Sequence, residues 1–347
     1  MRTAYDLPLE DLTARVTGWG EPAYRAKQVW RQLWQRAATY DEMTDLPPAL
    51  RERLAEEVPL GVEVLDERTS DRGATRKSLL RLGGEHVIET VLMGYPDRVT
   101  VCISSQSGCA MGCTFCATGQ MGLRNNLTTG EIAAQVVWAR REAARLPPTT
   151  PQRLGNVVFM GMGEPLANER HVFAAIERLT DRASFGLGTR HITVSTVGLV
   201  PGIAHLTAAH PQVGLAVSFH AASDELRSSL VPPNDLYPLA VLEEAMAAWR
   251  AATHRRPSIE WAMIDRVNDT EEQATLLAPI ARRLGAHVNL IPLNPTPGYP
   301  VVGSSRGRIR RFVDVLERAR VNVTVRDTRG RSIDAACGQL ALSASGA

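Results

Sequence analysis

From about residue 100 onward the chain repeats one rhythm of short apolar strand, loop and amphipathic helix, and this restricts the fold more than any other feature. Strand-like runs fall at 99–104, 156–160, 191–195, 213–219, 259–264, 288–291 and 321–325, with helical runs between them at 131–145, 171–179, 239–252, 271–284 and 309–320. Thr128 followed by Glu131 makes a capping box at the start of the first of these helices. Strands alternating with helices of this length imply βαβ units and a parallel sheet. Six or so units suit a full or partial (βα) TIM-like barrel, whose ligands bind at the C-terminal ends of the strands.

The remainder reads differently. Residues 1–60 are expected to form an N-terminal helical accessory domain, because Ala26, Val29, Trp30, Leu33 and Trp34 recur at spacings of three and four. A second helix is expected over 48–58, after the breaker Pro47-Pro48. Residues 61–98 alternate in short runs and read as a small antiparallel β extension, leaving 99–342 as the α/β barrel core and 343–347 as a tail. Residues 147–151 read as a loop. Hydrophobic residues at 44% and charged residues at 22% exclude a disordered or collagen-like chain. No apolar run approaches the ~18–20 residues of a membrane span. The N-terminus shows no secretory h-region, so the expected location is the cytoplasm, without a membrane partner.

Net charge is +2, which says little about partners, and an arginine excess of this kind can reflect base composition. The five cysteines say more. Cys109, Cys113 and Cys116 form a C-x₃-C-x₂-C loop directly after the first barrel strand. Three thiolates on a compact loop can bind a soft metal centre. A [4Fe–4S] cluster on three cysteines leaves one iron open, whereas structural zinc needs a fourth ligand, which Cys102 could supply. Chance clustering of small core residues is the blander alternative.

Other residues have both a plain and a chemical reading. Ser195 is a strand-end hydroxyl, His220 a satisfied core histidine and Asn294 a turn residue before Pro295, yet all lie at consecutive strand ends. Cys102 and Cys337 stand 235 residues apart, outside the cluster spacing, and would ordinarily be small buried hydrophobes. Glu89 on a strand would ordinarily be a solvent-facing charge.

The cysteine loop, with Phe115 before its last cysteine, resembles the radical S-adenosylmethionine (SAM) enzymes. Longer strings resemble one branch: Cys102-Ile103-Ser104-Ser105-Gln106-Ser107-Gly108-Cys109, Gly161-Met162-Gly163-Glu164-Pro165-Leu166, Leu290-Ile291-Pro292-Leu293-Asn294-Pro295 and Ala335-Ala336-Cys337-Gly338-Gln339-Leu340. That branch is the RlmN/Cfr family of RNA adenine methyltransferases, and the resemblance, nearest to the RlmN side, runs from about residue 18 to 342.

The resemblance implies roles position by position. Cys109, Cys113 and Cys116 would hold one [4Fe–4S] cluster, and SAM would bind through Gly163, Glu164, Ser195, Ser218, Phe219, His220 and Asn294. Many members carry Leu where this chain has Phe219, a change expected to leave SAM binding intact. Cys337 would take a methyl group from one SAM. A 5′-deoxyadenosyl radical from a second SAM would activate that methyl for attack on adenine. Cys102 would resolve the protein–RNA adduct by forming a transient disulfide with Cys337, and Glu89 would accept the ring proton. The implied targets are C2 of a 23S rRNA adenine near the peptidyl-transferase centre and C2 of the tRNA adenine 3′ of the anticodon.

A monomer served by an electron donor such as flavodoxin or ferredoxin is expected. Arg25, Lys27, Arg31 and Arg36, and the run Arg306-Gly307-Arg308-Ile309-Arg310-Arg311, are candidate phosphate contacts, with a solvated helix face as the alternative. Cfr-type methylation at C8 would use the same cysteines. A radical SAM activase shares the cluster loop without accounting for Cys102 and Cys337, and a zinc-stabilised RNA-binding module is the non-enzymatic reading.

Overall fold

The computed structural model describes residues 3–294 and 302–326, with positions 330, 333 and 340. Cys337 therefore lies outside the described residues. The sheet is built from β1 (Val62–Ser70), β2 (Thr75–Leu82), β3 (His86–Gly94), β4 (Val99–Cys102), β7 (Asn156–Phe159), β8 (Ile192–Thr196), β9 (Gly214–Ser218), β10 (Ser258–Met263), β11 (His287–Pro292) and β12 (Asn322–Val325), hydrogen-bonded in that order. Between β4 and β7 a two-stranded ribbon forms from β5 (Gln106–Gly108) and β6 (Leu123–Asn126).

All seven strands expected of the barrel are present, and from β4 to β12 every pairing is parallel. The expected antiparallel extension is β1–β3, and it continues the same sheet because β3 pairs antiparallel with β4. Among the described residues no pairing joins β12 back to the other edge, so the barrel is partial. The periodicity did not reveal the β5–β6 ribbon, whose strands of three and four residues are too short to show alternation.

Helices cover the outer face. They are α1 (Leu9–Gly18), α2 (Tyr24–Arg31) and α3 (Pro48–Glu57), the single turn α4 (Ala117–Gln120), then α5 (Thr129–Ala143), α6 (Glu169–Thr180), α7 (Val200–Ala209), α8 (Asp224–Leu230), α9 (Leu239–Thr253), α10 (Glu271–Leu284) and α11 (Arg306–Arg318). The five expected crossover helices are found, α1 falls within the expected N-terminal helical region, and α7 and α8 are additions. α7 reads VPGIAHLTAA and has little charge to mark a polar face.

The N-terminal helices form a layer docked on α5 and α6. Ala26, Val29, Trp30, Leu33 and Trp34 are buried as the spacing predicted, and α2 widens into a π-turn at Gln32–Arg36. Partly buried polar contacts fix the docking. Arg178 donates to the carbonyls of Tyr5, Leu7 and Asp6, and Arg140 to those of Trp34, Gln35 and Phe185. Asp6 accepts the Gly130 N–H at 2.7 Å, a helix-start donor with no intrahelical partner. The Thr128–Glu131 capping box is present, and Glu131 also meets His86 at 3.0 Å, tying α5 to β3.

Candidate active site

A cavity opens at the C-terminal ends of the parallel strands. Its wall includes Cys109, Cys113, Cys116, Gly163, Glu164, Ser195, Ser218 and His220, so eight of the expected site residues share one space.

Strand register explains the convergence, because side chains that align across neighbouring strands share a face. Cys102 aligns with Val158 on β7, and Phe159 aligns with Val194 on β8, which carries Met160 and Ser195 together on the next step. Ser218 aligns with Glu260 on β10, and Glu260 with Asn289 on β11. On the antiparallel side Val91 faces both Lys77 and Cys102. Glu89, two residues before Val91, therefore lies on the same inner face as Cys102 and the cavity residues.

Glu89 is buried at 1% exposure, which overturns its plain reading as a solvent-facing charge. Lys77 Nζ lies 2.9 Å from its Oε1. Its carbonyl accepts from the Ser104 hydroxyl at 2.8 Å, fixing β3 against the end of β4. A carboxylate in this place, beside a lysine, has the chemistry of a proton acceptor. Cys102 is buried at the end of β4, on the neighbouring strand.

The cysteine loop is shaped by the β5–β6 ribbon and by α8. Cys109 N–H donates to Gly122 at 3.0 Å, and Thr114 N–H to Leu230 at 3.1 Å. Gly119 packs so closely that a Cβ there would sit 2.9 Å from the Cys113 carbonyl. Burial pushes the Cys109 thiol up to about 11 and the Cys113 thiol higher still, with neighbouring thiols and Glu164 adding to both. Thiolates in such a place need a cationic centre to hold them deprotonated.

The donor set fits an iron–sulfur cluster: three soft sulfurs line one cavity wall, and His220 on that wall uses Nδ1 to accept the Ala262 N–H at 2.9 Å. Among the described residues no three His, Cys, Asp or Glu side chains converge tightly enough for a single ion. His220 is kept neutral, pushed down to about 3 by burial and by Arg227.

Glu164 joins two strand-end loops. Its Oε1 accepts the Leu166 N–H at 2.9 Å and its Oε2 the Val197 N–H at 2.8 Å, while its own N–H donates to Gln106 at 2.8 Å. Burial raises its carboxyl to about 7 against these hydrogen bonds. Gly163 owes its identity to packing: its φ is +97°, and a Cβ would sit 2.5 Å from Gln106 Cβ. Gly163→Ala is expected to destabilise the protein by about 2 kcal/mol or more, from left-handed strain plus the clash. The loss should appear as a lowered Tm together with weakened SAM binding.

Two expected SAM contacts fall outside the cavity wall. Phe219 is fully buried and acts through its backbone, donating N–H to Glu260 at 3.0 Å and accepting from Arg227 at 3.1 Å. Asn294 is buried, with its amide 3.5 Å from the Pro292 carbonyl. Of the candidate phosphate contacts, Arg308 is engaged in a bidentate pair with Asp269, and Arg25 holds Gln28 and the Asp45 carbonyl, whereas Lys27, Arg31, Arg36, Arg306, Arg310 and Arg311 are exposed.

Sequence reasoning missed Arg227 and Glu260. Arg227, 1% exposed, donates to the carbonyls of Val197, Ser218 and Phe219 and to Asn234, clamping the ends of β8 and β9. Glu260 lies on the cavity wall, its carboxyl raised by burial and drawn back by Arg326 and Asn289. Neither sits in a motif, so only the strand-end carbonyls that collect around Arg227, and an acidic residue inside an apolar strand, could have signalled them.

Comparison with known proteins agrees with this geometry. Residues 103–277 match the radical SAM superfamily, and residues 4–60 match the ribosomal RNA large subunit methyltransferase N-terminal domain. A probable dual-specificity RNA methyltransferase RlmN from Chloroflexus aurantiacus is 48% identical, over 98% of this chain and 93% of its own. One of the same description from Thermobifida fusca is 52% identical, over 97% and 94%. The crystal structure of a radical SAM methyltransferase from Sphaerobacter thermophilus superposes with a TM-score of 0.92 at 47% identity, covering 97% of this chain and 98% of that one.

Proposed function

Given that the chain belongs to the RlmN family of radical SAM RNA methyltransferases, we propose that it methylates C2 of an adenine in 23S rRNA and C2 of the adenine 3′ of the anticodon in tRNA. The methyl group is carried on Cys337. The family works with a [4Fe–4S] cluster and SAM, and these supply, when bound, the methyl group and the radical chemistry that an electron-poor ring carbon requires.

Cys109, Cys113 and Cys116 hold the cluster in this reading. Glu164, Ser195, Ser218 and His220 bind SAM, with Gly163 shaping the loop, and Phe219 and Asn294 support the mouth. Cys337 bonds covalently to the RNA, Glu89 takes the ring proton, and Cys102 closes a disulfide with Cys337 as the product leaves. The adenine has to be presented unstacked. The observation that carries the reading is the register, which aligns Glu89 and Cys102 on the inner face of the sheet, on the strands beside those whose ends line the cavity. A buried carboxylate paired with Lys77 and a thiol two residues along the next strand are what deprotonation followed by thiol exchange requires.

Mass spectrometry of nucleosides from treated RNA tests the target, with 2-methyladenosine expected. A methyl group at C8 would place the chain on the Cfr side, and unmodified RNA would sink the reading. Glu89→Gln tests the base. Formation of the protein–RNA adduct should be retained while product release slows ~10²–10⁴-fold, the usual worth of a positioned general base. Single-turnover release of methylated RNA from preformed adduct measures it, and release at the wild-type rate would remove Glu89 from the mechanism.

A further inference from the structure

One carboxylate on the cavity wall has no task in the reading above. Glu260 is 3% exposed, in the middle of β10, aligned with Ser218 on one side and Asn289 on the other. Asn289 Nδ2 donates to its Oε1 at 2.9 Å and fixes the plane of the carboxylate. Oε2 is buried, and no hydrogen-bond donor among the described residues reaches it. The nearest cation, Arg326 Nη1, stands 3.9 Å away, beyond hydrogen-bond range. A buried oxygen without a donor is costly to keep, and such groups in native proteins call for a partner. Here that partner has room to bind, because Glu260 faces the cavity that holds the cysteine loop.

The chemistry of the orphan selects the partner. An ionised carboxylate only accepts hydrogen bonds, so its complement is a donor. Of the groups SAM presents, the ribose is the one part that offers two adjacent hydroxyl donors. Carboxylates that receive ribose hydroxyls are the general solution in dinucleotide-binding sheets. Apolar Ala262 and Ile291 flank the position on the same inner face and exclude competing water. We propose that Glu260 is a SAM-binding residue whose Oε2 receives the ribose diol, with Asn289 holding the carboxylate in place for it. The inference rests on SAM binding in this cavity.

The test uses anaerobic holoenzyme and calorimetry with S-adenosylhomocysteine and its 2′-deoxy and 3′-deoxy analogues, so that the readout is affinity and not turnover. Wild-type protein should bind at least one deoxy analogue roughly 10–100-fold more weakly than S-adenosylhomocysteine, the usual effect of leaving a buried charged acceptor without its donor. Glu260→Gln keeps the side chain's shape and its acceptor for Asn289. It should weaken S-adenosylhomocysteine by a similar factor and then become indifferent to the same missing hydroxyl. Glu260→Ala should show the same indifference if the glutamine retains part of the contact. A purely structural role would lower affinity without this coupling. Equal hydroxyl penalties in wild type and both variants would overturn the proposal, as would unchanged S-adenosylhomocysteine affinity in Glu260→Gln. Wild-type holoenzyme that bound neither SAM nor S-adenosylhomocysteine would instead bring down the cavity assignment, and the proposal with it.

Discussion

Anaerobically purified Cys113→Ala protein is expected to be colourless and devoid of methylation activity, where the wild type is brown with about four irons per chain, the complement of one [4Fe–4S] cluster. The effect should be close to all-or-none because the loop supplies only three thiols and, among the described residues, the wall offers no ready substitute. His220 has Nδ1 committed to the Ala262 N–H. Glu164 has both oxygens engaged by backbone donors. The apoprotein should nevertheless stay folded, since the loop is held by hydrogen bonds to Gly122 and Leu230 as well. Iron analysis alongside circular dichroism distinguishes cluster loss from unfolding. Normal iron in this variant would show that the ligand assignment is wrong.

Cys102→Ala is expected to trap the protein on its substrate. In the proposed mechanism Cys337 builds the bond to RNA and Cys102 acts only when that bond must break, so loss of Cys102 should let the reaction run to the covalent stage and stop. Protein recovered after reaction, and trimmed with nuclease, should carry the mass of an attached nucleotide on the peptide that contains Cys337. Cys337→Ala, alone or combined with Cys102→Ala, should carry none, because the site of attachment is gone. Free turnover by Cys102→Ala would mean that this thiol is a buried strand residue and nothing more. Thiol exchange requires a close approach of the two sulfurs, and the end of β4 supplies one half of that geometry on the inner face of the sheet.

The sequence by itself determined the architecture and the chemistry of the loop. Seven apolar strands spaced by helices left a parallel α/β sheet as the economical solution, and the structure has that sheet with the expected strands and crossover helices. The C-x₃-C-x₂-C spacing likewise announced a soft-metal loop, because ligands close in sequence need no tertiary information to be close in space. The five apolar positions of the Trp30–Trp34 helix face were legible for the same local reason.

Only the tertiary structure decided the rest. Whether Glu89 faced solvent or the interior depended on which strand lay beside β3, and pairing with β4 turned it inward onto Lys77. In the sequence Arg227 is one arginine among 37, with no motif around it, yet carbonyls at the ends of two strands gather around its guanidinium. Gly163 was expected for approach to a ligand, but Gln106 from the preceding ribbon already requires it. Glu260 carried no motif at all, and its orphaned oxygen exists only because Asn289 takes the other one. Local periodicity records which face of an element is apolar, whereas register between strands distant in sequence fixes which polar groups meet, and one residue of slip would send each of them to the opposite face.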